Sequence, residues 1–335
     1  MDAKWREQIT EGEDERFEAL AKRLVGDAKR DARTLHARAH LALHARFEVG
    51  DVEQELRHGV FAAPAVREAY VRFSSGTGHA QPDRAPDVRA VAVKVVGVDG
   101  DKIIPTLEKA RTQDFLAILT PTFGFRTPDA FVDVASSAAR GQLAVVGALI
   151  RNYGLFGMLS MLPKLQGALD KSPRSLAERT YYTALPIRLG PHAIKLRFSP
   201  ESRATTDAPR GDDTLGAELC ERLAKDEVRF AVEVQRFVDE ERTPIEDPTV
   251  PWDESLAPWS RVAALVLPKQ DARGEAGKKL ASYVESLSFD PWHALPEHRP
   301  LGAIMRARAV AYRHSVEARG ARSELEVVPP SELLG

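Results

Sequence analysis

Leu35-His-Ala-Arg-Ala-His-Leu-Ala-Leu-His-Ala-Arg-Phe-Glu-Val49 alternates in character along its whole length. Leu35, Ala37, Ala39, Leu41, Leu43, Ala45, Phe47 and Val49 fall on one parity. His36, Arg38, His40, His44, Arg46 and Glu48 fall on the other, with only Ala42 between them. A period of two predicts a strand with one apolar and one polar face. His36, His40 and His44 also recur every fourth residue, which on a helix would suggest a zinc site. On a strand rising about 3.3 Å per residue, His36 and His44 stand about 26 Å apart. A three-histidine metal site from this segment alone is thereby excluded, and His44 reads as part of a polar sheet face.

Working outward, strands are expected at 69–74, 88–98, 114–119, 192–198, 228–238 and 260–267. Helices are expected at 128–140, 143–168, 214–225, 274–287 and 300–318. Strands fill the first third, helices the middle, then strands return and helices close the chain. Regular strand–helix alternation is missing, so a doubly wound parallel sheet is not expected. The order predicts an α+β fold built on an antiparallel sheet or barrel with appended helices. In residues 1–30, Phe17, Leu20, Ala21 and Leu24 have helical spacing and predict an N-terminal helical arm. Residues 31–335 read as one domain. The stretches 200–213 and 243–258 read as loops from their Pro, Gly, Ser and Thr content.

Residues 142–162 approach the length of a membrane span. Arg151 and Asn152 sit at the centre, and Gly154 and Gly157 interrupt it. The expectation is two short helices over the core and no transmembrane span, with peripheral membrane contact left open. The whole chain of 335 residues carries a net charge of −2, with 29% charged and 43% hydrophobic residues. That balance speaks against a nucleic-acid binder. Cys220 is the only cysteine, which excludes an internal disulfide and a cysteine metal cluster. The charged start Met1-Asp-Ala-Lys-Trp-Arg-Glu lacks an apolar signal core, so a cytoplasmic location is expected.

Two features at opposite ends carry chemistry. Late in the chain, Arg308 and Tyr312 lie one helical turn apart, placing a guanidinium beside a phenol. A neighbouring cation favours phenolate, an anionic oxygen ligand for ferric iron. Early in the chain stands Arg33-Thr-Leu-His36-Ala-Arg. Between them come Val71-Arg-Phe-Ser74, the run Asp114 to Phe131, Tyr181 to Gly190 followed by Ala193-Ile-Lys-Leu-Arg197, and Phe289-Asp-Pro-Trp-His-Ala-Leu-Pro-Glu-His-Arg-Pro-Leu-Gly302. In this order, over about residues 30–315, the chain resembles the catalase superfamily. It is most similar to small bacterial catalase-related haem proteins.

The resemblance implies a catalase-like antiparallel β-barrel binding haem b, flanked by helices. Tyr312 would be the proximal iron ligand and Arg308 would hold it as phenolate. His36 would be the distal acid/base, supported by Ser74. Arg33 and Arg72 would pair with haem propionates, and Phe131 would stack near the porphyrin. The implied activity is haem-dependent peroxidase or peroxygenase chemistry on hydrogen peroxide or organic hydroperoxides, with weak catalase turnover, in a homo-oligomer. The substrates would be peroxide and a small organic or lipid molecule, with no nucleic acid. The distal asparagine of true catalases would fall at Ile118 or Leu119, both aliphatic. Two rivals are an allene oxide synthase-like hydroperoxide isomerase or lyase and a non-catalytic haem carrier. Leu35 stands where the first typically has Thr, and a retained His36 speaks against the second.

Overall fold

The computed structural model describes residues 12–26, 33–138, 140–170, 174–201 and 213–335. Helix α1 (Glu13–Val25) is followed by strands β1 (Ala39–Val49), β2 (Ala65–Ser75), β3 (Arg89–Val96) and β4 (Thr112–Ile118). Helices α2 (Pro128–Ala138) and α3 (Gln142–Gly167) follow. Then come β5 (Tyr181–Tyr182), β6 (Ile187–Leu189), β7 (His192–Pro200), α4 (Leu215–Leu223), β8 (Val228–Arg236) and β9 (Trp259–Leu267). Helices α5 (Glu275–Ser286), α6 (Ala303–Ala318) and α7 (Pro330–Leu334) close the chain. The expected order of elements is present, and the middle of the expected 200–213 loop lies outside the described residues.

The sheet runs β5-β4-β3-β2-β1-β9-β8-β7-β6, and β5 also pairs with β7. That second pairing closes eight antiparallel strands into a barrel, with β6 attached outside the ring. The alternation read from the sequence packs the interior with Leu43, Ala45, Phe47, Val71, Phe73, Val93, Phe115, Leu196, Val232 and Leu265. Closure is narrow on one side. Strand β5 has two residues and meets β4 through the single pair Ile118↔Tyr182.

One sequence reading needs correction and one is refined. The first strand begins at Ala39, not Leu35, so His36 lies in a bend before it. His36 adopts φ 55, a left-handed conformation that ends strand geometry. The bend is still tied to the end of β2, since His36 N and Ala37 N donate to the carbonyls of Gly76 and Thr77. The second concerns 142–162, which is indeed two helical pieces, broken at Gly154 with φ 69 and ψ 175. Only one face of each piece covers a core. Ala148, Leu149, Met158 and Met161 pack with Phe125, Ala130 and Val134, while Leu143, Leu155, Phe156 and Leu159 face outward.

Helix α1 is strapped across α6 and α2. Glu13 accepts from Arg306 at 3.0 and 3.1 Å, Glu18 pairs with His314 at 2.6 Å, and Arg23 donates to Asp133 at 2.5 Å. Phe17 and Ala21 are its buried apolar anchors. Residues 1–11 and 27–30 of the expected arm lie outside the described residues.

Candidate active site

The bend at 33–38, the end of β2, and helix α6 converge at one end of the barrel. His36 Nδ1 lies 3.2 Å from Ser74 Oγ. Arg72 stands two residues before Ser74 on β2 and therefore shares its face. It forms a fork with Glu285 at 2.6 and 3.3 Å and is buried. Arg33 lies 3.8 Å from the same carboxylate and donates to the Leu287 carbonyl at 2.9 Å. Arg319 donates to that carbonyl at 2.7 Å and to the Glu285 carbonyl at 3.2 Å. Three guanidinium groups thus gather around one side-chain carboxylate, at the junction of α5 and the bend.

Helix α6 supplies a second wall. Its first turn is set by the Phe289–Gly302 segment, which is stitched into the barrel. Asp290 N donates to Asp114 Oδ2, Leu295 N to Gln113 Oε1, and Leu301 N to the Pro186 carbonyl. His298 Nε2 accepts from Val60 N at 2.9 Å. A Cβ at Gly59 would lie 2.2 Å from that ring nitrogen, so only glycine fits there. Thus fixed, α6 presents Arg308 and Tyr312 one turn apart. Arg308 Nη2 donates to Tyr312 Oη at 2.7 Å, and its guanidinium carbon lies 5.1 Å from the ring centroid.

The two walls are electrostatically joined. Burial, then the charges of Arg72, Arg308 and Arg33, outweigh the pull of Asp87 and push His36 down to about 4. Its imidazole is therefore neutral at pH 7. Burial and the charges of Arg72 and Arg319 bring Arg33 down to about 9, against the opposing influence of Glu285 and Tyr312. Burial works to raise the Glu285 carboxyl, but Arg72 and Arg33 hold it below the usual range.

Of the residues singled out from sequence, His36, Arg33, Arg72, Ser74, Arg308 and Tyr312 come together. Phe131 joins a separate aromatic group with Phe123 and Phe125, at centroid distances of 5.2 and 5.6 Å. Phe123 links that group to the barrel core. His40 is structural, bridging Ser75 Oγ at 2.7 Å and Asp83 at 3.3 Å. Asp83 in turn accepts from Thr214 N and Leu215 N at the start of α4. Sequence reading missed Arg319 and Glu285. Arg319 could have been found, because it lies seven residues after Tyr312 and so on nearly the same helical face.

A second polar cluster lies inside the wall. Lys94 Nζ contacts Asp114 at 2.7 and 2.8 Å, His293 Nδ1 at 3.4 Å, and Glu324. Asp114, His293 and Glu324 have the donor set of a cation site. The Lys94 ammonium fills that position, so the group is a self-neutralising ion cluster.

The sequence matches no protein-family model and no curated protein. Solved structures do match. A fungal catalase superposes with a TM-score of 0.70 at 16% identity, covering 96% of this chain and 65% of that one. A bacterial catalase gives 0.66 at 17%, covering 96% and 63%. Catalase A from Saccharomyces cerevisiae gives 0.63 at 16%, covering 94% and 65%. The chain spans less than two thirds of the length of these catalases. Closed eight-stranded barrel, flanking helices and chain order agree, and the fold of this protein is the catalase fold.

Proposed function

We propose that this protein binds haem b between the His36 and Tyr312 walls and acts as a haem-dependent peroxidase or peroxygenase. Its oxidants would be hydrogen peroxide and organic hydroperoxides, with slow catalase turnover. The observation that carries the reading is the Arg308–Tyr312 hydrogen bond within electrostatic reach of a neutral, Ser74-supported histidine.

The residues fit the cofactor. A propionate-bearing ligand needs buried cations in excess of local carboxylates, and among the described residues Arg33, Arg72 and Arg319 share one carboxylate, Glu285. Arg33 Nε is buried and stands 3.8 Å from Glu285 Oε2, beyond hydrogen-bond distance, with no hydrogen-bond acceptor among the described residues. Tyr312, hydrogen-bonded by Arg308 at 2.7 Å, would be the protein's oxygen ligand to the iron. Bound haem would supply a ferric iron able to accept the oxidising equivalents of a peroxide.

The chain would do the rest. With the proton on Nδ1 donated to Ser74 Oγ, His36 Nε2 is free to accept a proton from the near peroxide oxygen. Returning it to the far oxygen releases water or an alcohol and makes O–O cleavage heterolytic. Ser74 fixes the ring for both transfers. Ile118 and Leu119 are aliphatic and offer no side-chain hydrogen bond to a second peroxide, which favours an organic reductant.

The test is titration of the haem-free protein with haemin, read by absorption and by retained haem after gel filtration, followed by hydrogen peroxide and by an apolar hydroperoxide. A stoichiometric Soret band and turnover with an organic reductant are expected. A protein that retains no haem refutes the reading. Retained haem with no response to either peroxide favours the carrier alternative instead.

A further inference from the structure

We propose that helix α3 docks this protein on an anionic lipid surface, seating its two halves side-on in the headgroup region. The inference does not depend on the haem reading. Nine large hydrophobic side chains are strongly exposed among the described residues, and five belong to this helix. Leu143 is 89% exposed, Phe156 86%, Leu155 56% and Leu159 55%. A helix on a protein surface normally turns charged residues outward. Here the inward faces are apolar, resting on α2, and the outward faces are apolar as well. Such a helix calls for an apolar medium on its outer side.

Geometry decides between spanning and lying flat. The break at Gly154 divides α3 into pieces of about 18–20 Å at 1.5 Å per residue. Each is short of the roughly 30 Å hydrocarbon layer. Asp133 on α2 also holds Arg151 at 2.8 Å and Asn152 at 2.8 Å, which pins the middle of the helix to the body. A pinned, broken, apolar helix lies in an interface plane.

Charge chooses the partner. From Val134 to Leu169 the sequence has no Asp or Glu but has Arg140, Arg151 and Lys164; Arg151 shares the Asp133 carboxylate with Arg23, which leaves the band net basic. Anionic lipid complements that band. A second copy of the chain does not, because a two-fold contact would set the same basic band against itself.

The experiment is co-sedimentation with vesicles of equal parts phosphatidylglycerol and phosphatidylcholine, against vesicles of phosphatidylcholine alone. Wild type should partition onto the anionic vesicles and weaken in high salt. Leu155→Glu/Phe156→Glu should lose at least about tenfold in partitioning, since two apolar side chains leave the lipid. Leu143→Glu tests the other half and should also weaken binding. Val66→Glu, at an exposed apolar site away from α3, should not. Unchanged elution volume and circular dichroism report that the variants are folded. Absence of wild-type binding, or equal binding by the α3 variants, overturns the proposal. So does a wild-type dimer that the same substitutions dissociate in the absence of vesicle binding.

Discussion

His36→Ala is the sharpest test of the proposed chemistry. Burial and three nearby guanidinium charges put the imidazole near 4, so at pH 7 the neutral form outnumbers the protonated form by about 1000 to 1. Base is then fully available at neutral pH, and the rate of peroxide activation should be flat down to about pH 5. It should fall as the pH approaches 4 and His36 takes up a proton. Removing the ring removes both proton transfers. General acid/base transfer is worth about 10²–10⁴-fold, or roughly 3–5 kcal/mol of barrier. Ser74→Ala, which loses only the 3.2 Å hydrogen bond to Nδ1, should cost roughly tenfold through ring orientation. The assay is stopped-flow absorption of haem-loaded protein mixed with hydrogen peroxide from pH 4 to 8. His44→Ala serves as control. Haem content should be unchanged throughout. A His36→Ala variant that reacts at the wild-type rate, or a wild-type profile with its midpoint at pH 6.5, would refute the role assigned to this residue.

Tyr312→Phe should lose or greatly weaken haem retention, and Arg308→Leu should keep some haem with a displaced Soret band, both read by haemin titration. Asn at 118 or 119 should raise oxygen release relative to dye oxidation; wild-type oxygen release that outpaces every organic substrate would instead make catalase turnover the main activity. Lys94→Met should lower stability by about 3–5 kcal/mol, because it leaves Asp114 and Glu324 buried without their ammonium partner. In the wild type, burial opposes both shifts, but Glu324 and Asp114 raise His293, while Lys94 and His293 lower Glu324. The His293 contribution is therefore full below its unfolded pKa and lost as pH rises through the raised value. The Glu324 contribution is lost as pH falls through the lowered one. Thermal unfolding against pH should peak between those limits; in Lys94→Met the acid limb should weaken, because Glu324 loses the cation that lowers it, while the alkaline limb persists, because Lys94 opposes the rise of His293.

The barrel was legible because strands half-facing a core must alternate. Seven of the nine strands fall within a few residues of the expected bounds; β5 and β6, two and three residues long, are too short for a period to show and were not expected. The same rule failed at 35–38, where the pattern continues but the chain does not. Tertiary contacts to Gly76 and Thr77 hold His36 in a left-handed conformation that no periodicity records. Lys94 sits between Val93 and Val95, and alternation marks it as outward-facing. It is nevertheless buried, because the 288–293 segment and Glu324 cover that face of the sheet. Glu285 was invisible for a related reason. Its partner Arg72 lies 213 residues away, and an ion pair leaves no spacing signature.

The β4–β5–β7 closure has a mechanical consequence. Elsewhere around the ring, neighbouring strands are joined by ladders of three to ten residue pairs, but β5 is held by one pair to β4 and two to β7. Two residues after it comes Ala184 at φ 57, one of only two left-handed non-glycine residues among the described residues. The cylinder is therefore a curled sheet fastened by a clasp. Thermal strain concentrates at the joint with the fewest cross-links, so local opening begins there. Ile118, half of the clasp's single pair to β4, is also a candidate wall of the peroxide pocket. Breathing of the fastening and access to the chemistry would then share a hinge, and a ligand that rigidifies one would tighten the other.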